Sequence, residues 1–188
     1  MRELGTVTLE TERLILRKAT KEDAESMHKN WSTDEVTHAY DWFFKLDTLE
    51  DTERYIDEMI ERYNGPMKTV YFNWVIEYKE NHEIIGHILS NKFLRNHQVV
   101  EIGYSLSSKY FRQGLMTEAL TKVIDFFLNE VGVRIVAANA NADNLPSVNL
   151  LKKVGFNLDA VLPQRLISKK TGLPTDSCMF SIINKNFK

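Results

Sequence analysis

The sequence predicts an α/β (α+β) protein built on a mixed, mostly antiparallel sheet of about seven strands flanked by helices. Short apolar segments with alternating polarity recur along the chain, which is typical of strands. Two longer segments keep the helical spacing of apolar residues. No segment rich in Pro, Gly or Ser divides the 188 residues, of which 43% are hydrophobic. We therefore expect one domain over residues 1–188, with enough apolar surface for a single core.

The first part of the chain predicts one strand and two helices. Residues 6–17 contain an alternating run that indicates the first strand. Thr20, followed three residues later by Asp23, is typical of the capping box that begins a short helix. Residues 50–63 place their apolar side chains on one face and predict a longer helix, which Gly65 ends.

Three strands and a strand–helix–strand unit follow. Residues 70–78, 83–94 and 99–106 are joined by short polar turns, so we expect them to form an antiparallel meander. Residues 116–131 keep a helical period, and the compact apolar run 133–138 predicts the next strand. Because a strand, a helix and a strand in this order form a right-handed crossover, the two strands should be parallel.

The chain ends with a short helix and two strands. Residues 145–154 predict the helix, and Gly155 stands where the chain leaves it. The strand-like segments 156–167 and 175–183 then complete the sheet.

Composition excludes several classes of protein. The 24 Lys and Arg residues balance 26 Asp and Glu residues, so the clustered basic surface of a nucleic-acid binder is missing. The one cysteine, Cys178, permits no internal disulfide. No stretch approaches the ~20 apolar residues of a membrane span, and the histidines lack zinc-ligand spacing. We therefore expect a cytoplasmic protein with no metal and no nucleic-acid or membrane partner.

A first candidate site lies where the strand 99–106 passes into the following helix. The loop turns around Gly114, and the amides of the first helical turn have no acceptor within the helix. Such an end binds phosphate groups, and Thr117 can add a hydroxyl donor. The chain contains neither G-x-x-x-x-G-K-[ST] nor G-x-G-x-x-G, so P-loop and dinucleotide folds lose their main support. Taken alone, a single glycine before a helix is also compatible with an ordinary turn.

A second candidate segment opens the helix 145–154. Asn144 is a good N-cap, and Pro146 is tolerated in the first turn. Ser147 lies near the positive end of this helix. By itself the segment favours the simpler interpretation of a capped structural helix that ends at Gly155.

Several short segments of the chain, in this order and spacing, resemble the GNAT acetyltransferases, and in particular their RimJ/RimL-like branch. They are Thr11-Glu12-Arg13-Leu14-Ile15-Leu16-Arg17 with Asp23-Ala24, Ile84-Ile85-Gly86, Glu101-Ile102-Gly103-Tyr104, residues 114–119, Asn144 with Ser147, and Gly155-Phe156. The resemblance covers most of the chain. No single segment is specific, but the ordered set is.

The resemblance implies an acetyl-CoA cosubstrate bound between two splayed central strands, without a metal. The pantetheine arm would lie between residues 104–106 and the strand 133–138, and the diphosphate would rest on the amides of residues 112–117. Asn144 would contact the cosubstrate beside the thioester, and Ser147 would protonate the departing thiolate. The residues implied in cofactor binding are Tyr104, Ser105, Leu106, Arg112, Gln113, Gly114, Leu115, Met116, Thr117, Asn144 and Ser147.

The implied reaction moves an acetyl group to a primary amine by direct attack in a ternary complex. The acceptor would be a peptide or protein N-terminal amine or a small-molecule amine, and the enzyme a monomer or homodimer. Glu101 is the first candidate for the general base, because it belongs to the strand that should flank the thioester. Asp159 is the second, because the branch often carries a carboxylate shortly after the Gly-Phe pair. Backbone N–H groups near Leu106 would polarise the thioester carbonyl.

The sequence departs from the family pattern in the phosphate loop. Arg112 stands where the family frequently has glycine, and Met116 where it has a small residue. A non-catalytic acyl-CoA-binding or regulatory module therefore remains an alternative. An aromatic cluster, Tyr40 with residues 42–44, is compatible with an acceptor lid, with core packing or a dimer contact, or with a protein-interaction surface.

Overall fold

A computed structural model describes residues 1–32, 34 and 46–187. Its strands are β1 (Leu9–Glu10), β2 (Leu14–Arg17), β3 (Asn73–Tyr78), β4 (Ile84–Leu94), β5 (Val99–Leu106), β6 (Ile135–Asn141), β7 (Asn157–Ile167) and β8 (Pro174–Ile183). Its helices are α1 (Ala24–Met27), α2 (Leu49–Asn64), α3 (Leu115–Asp125) and α4 (Leu145–Lys153). Two of them continue into π-helical turns: α1 into His28–Ser32 and α3 into Phe126–Val131.

The predicted mixed sheet is confirmed. Its strands lie in the order β1-β2-β3-β4-β5-β6-β8-β7, and every neighbouring pair is antiparallel except β5 and β6. The parallel pair is the one that the crossover through α3 requires. The described sheet has eight strands rather than about seven, because residues 6–17 form two strands joined by a turn in which the Thr11 amide donates to the Leu14 carbonyl.

The predicted helices are present, with small shifts at their ends. Helix α2 begins after Thr48, whose hydroxyl accepts from the Asp51 amide at 3.1 Å while the Asp51 carboxylate accepts from the Thr48 amide at 3.2 Å. Strand β6 starts later than its apolar run, because the Val133 amide donates to the carbonyl of Phe127 and the Arg134 amide to that of Gln98.

Helices cover the two faces of the sheet and form two apolar clusters. On one face, α3 packs against a cluster that includes Trp74, Ile76 and Ile102. On the other face, α1 and α2 pack against Val75 and Ile84. Neighbouring residues of one strand therefore face different helices, as the strand period of two requires.

The central strands separate halfway along their length. Strands β5 and β6 are paired only from Val99 with Ile135 to Ile102 with Ala138. Beyond that point β5 stays with β4, up to the pairing of Leu106 with Gly86, while β6 stays with β8. This is the fork that the family resemblance implied.

No helix of the described ranges has both the length and the apolarity that a bilayer crossing requires.

Thr48→Ala should remove the hydroxyl cap of α2 and lower the free energy of unfolding by about 1 kcal/mol. Chemical denaturation measures this change. Thr121→Ala is the control, since Thr121 is exposed on α3 and its hydroxyl bonds only within that helix, to the Thr117 carbonyl. Equal losses in the two variants would show that Thr48 is not a significant cap.

Candidate active site

A cleft of about 1300 Å³ lies at the fork between β5 and β6, and residues from both faces of the sheet line it. Its volume exceeds that of most pockets for a single small ligand. The residues predicted from sequence to bind a cofactor line it with one exception, Gln113. The side chain of Gln113 instead donates to the Lys109 carbonyl at 3.0 Å.

The loop before α3 has a conformation that suits an anion. Arg112 has φ 61° and Gly114 has φ 78°, both in the left-handed region, and α3 begins at Leu115. Left-handed Gly114 is followed directly by right-handed, helical Leu115, and consecutive residues of opposite hand turn their amides toward one concave side. The first amides of α3 add donors that the helix itself does not use. The loop therefore presents backbone N–H groups and the positive end of a helix at one end of the cleft.

The family's frequent glycine at position 112 has a structural reason here. A left-handed conformation costs a residue with a side chain roughly 1–2 kcal/mol, and Arg112 bears this cost. Met116, the other departure, is 6% exposed and packs in the α3 core cluster. Neither substitution closes the cleft, which both residues line.

The turn that follows α1 holds the end of β5 and the start of the loop. Trp31, fully buried, donates from Nε1 to the Ser105 hydroxyl at 2.6 Å. The carboxylate of Asp34 accepts from the Ser108 amide at 2.5 Å and from the Ser107 hydroxyl at 3.4 Å. No sequence motif pointed to Trp31 or Asp34, because both act across more than 70 residues of chain.

Tyr104 and Ser147 meet on the α3 face of the fork. Their hydroxyl oxygens are 2.7 Å apart. Burial raises the pKa of Tyr104 to about 12, so its hydroxyl stays protonated at neutral pH. Asn144 caps α4, accepting from the Ser147 amide at 3.2 Å, and thereby sets the position of Ser147. The sequence placed each of these residues near the cofactor, but it did not show that Tyr104 and Ser147 are hydrogen-bonded.

Glu101 lies on the opposite face of the fork. Ile102 and Tyr104 belong to the α3 cluster, so the alternate residues Glu101, Gly103 and Ser105 face α1 and α2. The Glu101 side chain is 20% exposed, lines the cleft and pairs with Lys92 at 3.4 Å. His87, paired with Ser105 across the strands, lines the same side and packs on Trp31, with the ring centroids 4.4 Å apart.

Asp159, the second candidate base, is exposed on β7 beside a register shift, and it is not among the described residues that line the cleft. Tyr40 and residues 42–44, the aromatic cluster of the sequence, lie outside the described residues. Among the residues that the structure covers, no group of three or more His, Cys, Asp or Glu side chains is arranged to hold a metal ion.

A forked mixed sheet, with a loop and a helix N-terminus at the fork, is the architecture that the resemblance implied for an acetyltransferase. The chain belongs to the GNAT acetyltransferase family: the family model described as an acetyltransferase (GNAT) domain matches residues 13–157.

Individual relatives agree with this assignment. The uncharacterized N-acetyltransferase YoaA of Bacillus subtilis (strain 168) is 34% identical over 176 residues, which are 93% of this chain and 96% of that protein. A ribosomal-protein-S5-alanine acetyltransferase from Vibrio fischeri has a TM-score of 0.82 at 22% identity, over 97% of this chain and 99% of that one. The microcin C7 self-immunity acetyltransferase MccE, solved with acetyl-CoA and AMP, has a TM-score of 0.79 at 20% identity, over 92% and 93% of the two chains.

Arg112→Gly should raise the free energy of unfolding by about 0.5–1 kcal/mol. Glycine removes the steric cost of the left-handed conformation, and this gain exceeds the free-energy cost of the extra freedom that glycine gives the unfolded chain. Thermal and chemical denaturation measure it. Arg165→Gly is the matched control, since Arg165 is exposed on β7 and does not have a positive φ. Destabilisation of both variants by the same amount would contradict the prediction.

Proposed function

We propose that this protein transfers an acetyl group from acetyl-CoA to a primary amine, which attacks directly in a ternary complex. One observation carries the proposal: a single cleft lies at the fork and is lined from both faces of the sheet, which present different functional groups. The anion-binding loop and the Tyr104–Ser147 pair lie on one face, and Glu101 lies on the other. Each substrate therefore has its own entrance, and the two meet at the fork.

The donor half of the cleft fits acetyl-CoA. The amides of residues 112–117 suit its diphosphate, since they need no partner within the helix. The edge of β5 beyond Ile102 is not paired with β6, which leaves backbone groups for the amides of a pantetheine arm. The family match and the acetyl-CoA complex of MccE support the same ligand.

Ser147 and Tyr104 are suited to the leaving group. When the amine nitrogen bonds to the thioester carbonyl carbon and the C–S bond breaks, the sulfur carries the electron pair and needs a proton. Ser147 donates it, and the protonated Tyr104 hydroxyl donates in turn to Ser147 across 2.7 Å. A thiol has a pKa near ~8.5, so its thiolate is a good leaving group, and the hydrogen bond from Ser147 has only to stabilise the developing charge before the proton is transferred.

Glu101 is suited to the acceptor half. An amine must be neutral to attack, and only a small fraction of a lysine-like amine with a pKa near ~10.4 is neutral at pH 7. A carboxylate that takes the amine proton, directly or through water, removes this limit. Of the two candidate bases, Glu101 lines the cleft, so position favours it over Asp159.

The acceptor is a peptide or protein N-terminal amine or a small-molecule amine. The structural neighbour from Vibrio fischeri is named a ribosomal-protein-S5-alanine acetyltransferase, and this supports the first of these classes. We place the reaction in the cytoplasm, since the one cysteine, Cys178, is a free and buried thiol that requires no oxidising compartment.

The test is release of free CoA thiol from acetyl-CoA in the presence of a panel of amines, with peptides of different N-terminal residues and small diamines. Thiol release that depends on one class of amine, with N-acetyl product identified by mass spectrometry, supports the proposal. Tight CoA binding with no turnover of any amine would instead indicate a non-catalytic acyl-CoA-binding module.

Glu101→Gln should lower kcat about 10²–10⁴-fold while the KM for acetyl-CoA changes little, because it removes only the proton acceptor. Steady-state kinetics over a range of pH measures this. Asp159→Asn is the matched variant, with the same chemical change on exposed β7. If Asp159→Asn lost the activity and Glu101→Gln kept it, the assignment of the base would be reversed.

Ser147→Ala should lower kcat about 10²-fold or more and the free energy of unfolding by only about 1 kcal/mol, since Asn144 keeps its bond to the backbone amide of residue 147 and only the bond to Tyr104 is lost. Tyr104→Phe should reduce kcat less, because Ser147 keeps its own proton. An unchanged kcat in Ser147→Ala would exclude this residue as the acid.

A further inference from the structure

We propose that Arg13 and Glu118 form a positioning pair that aims the Gly114 amide into the cleft, toward the diphosphate of the acyl-CoA. This inference rests on the proposed function. It gives a role to the segment Thr11-Glu12-Arg13-Leu14, which the family resemblance singled out and which the chemistry at the fork does not use. Arg13 is not among the described residues that line the cleft, so its effect on the ligand passes through the loop.

Arg13 is attached to both sides of the loop–helix junction. Its Nε donates to one Glu118 carboxylate oxygen at 2.8 Å, and its Nη2 lies 2.7 Å from the same oxygen. The Arg13 backbone amide donates to the other carboxylate oxygen at 2.9 Å. The remaining arm, Nη1, donates to the carbonyl of Gln113 at 3.0 Å.

The bond to the Gln113 carbonyl determines where the next amide points. In a planar trans peptide the C=O of one residue and the N–H of the next point in opposite directions. The peptide between Gln113 and Gly114 is trans, and its carbonyl is turned toward Arg13. Its N–H therefore points away from Arg13, and Gly114, which carries this N–H, lines the cleft.

Arg13 also neutralises a charge that would oppose the ligand. Glu118 lies in the first turn of α3, where its carboxylate would repel a diphosphate at the same helix end. Burial by itself raises the pKa of Glu118. Hydrogen bonds from Thr11 and Arg13 together lower it by more, so the pKa of Glu118 lies below its ordinary value. Glu118 is thus ionised at neutral pH. Its negative charge would weaken binding of a diphosphate at the loop if the positive charge of Arg13 did not offset it.

The pair is anchored to the sheet rather than to a flexible segment. Arg13 precedes β2, and its carbonyl accepts from the Lys79 amide at 3.0 Å. The Leu14 amide donates to the Thr11 hydroxyl at 3.0 Å, which fixes the turn before β2. The sheet therefore fixes the position of the Arg13 backbone, and the Arg13 guanidinium bonds the loop.

The experiment compares Arg13→Gln, Glu118→Gln and the double variant by calorimetric titration with CoA. Arg13→Gln should raise the Kd for CoA about tenfold or more, since the variant loses the hydrogen bond to the Gln113 carbonyl and leaves the Glu118 carboxylate without its ion-pair partner. Glu118→Gln should raise the Kd less. The double variant should bind CoA more tightly than Arg13→Gln alone, because the uncompensated Glu118 carboxylate is no longer present. If the Arg13–Glu118 contact were only structural, adding Glu118→Gln would not restore any affinity for CoA.

A second measurement separates positioning from general damage. With S-acetylpantetheine, which lacks the diphosphate, the kcat/KM of Arg13→Gln should equal that of the parent protein, while with acetyl-CoA it should fall. Arg17→Gln is the matched control: Arg17 lies on β2 and pairs with Asp23 and Glu77, away from the loop. It should lower stability and leave the Kd for CoA unchanged.

The outcomes are distinguishable. If the parent protein binds no CoA, the proposed function fails. If the parent binds CoA and Arg13→Gln binds it equally well, only the positioning pair is wrong. Equal losses with acetyl-CoA and S-acetylpantetheine would also overturn the inference, since the defect would then not concern the diphosphate.

Discussion

The separation of β5 from β6 after Ile102 is the constraint on which the rest of this structure depends. Two neighbouring strands that part leave backbone groups unpaired, and unpaired groups in a protein interior are costly unless something takes them up. Here each strand keeps its other neighbour, β4 for β5 and β8 for β6, so only the inner edges are open. A ligand with amides of its own can complete those edges.

Holding the fork open requires contacts from distant parts of the chain. The turn after α1 fixes the end of β5 through Trp31 and Ser105, and it fixes the following loop through Asp34 and Ser108. Arg13 holds the same loop from the side of β2. The loop is thus held at two places, and the strand before it at a third, while the amides of residues 112–117 are not used by these contacts. Fixed donors of this kind are the preorganisation that a charged ligand needs.

The fork also divides the chemistry between the two faces of the sheet. Because side chains alternate along β5, Tyr104 faces α3 and joins Ser147, while Glu101 faces α1 and α2. In the proposed reaction the Tyr104–Ser147 pair would stand on the leaving-group side and Glu101 on the amine side. The acid and the base would then lie on opposite faces of the sheet and would not neutralise each other.

The sequence by itself determined the order of elements, the parallel pair and the position of the loop before α3, because hydrophobic period, capping residues and glycines are local signals. It also placed Glu101, Asn144, Ser147 and residues 112–117 near one another through the ordered family segments. Only the tertiary structure decided that Tyr104 bonds Ser147, that Arg112 is left-handed, that Asp159 is exposed and does not line the cleft, and that Arg13 bonds the loop. Those facts depend on contacts between residues some 40 to 100 positions apart, or on backbone dihedrals and exposure, and no local pattern records them.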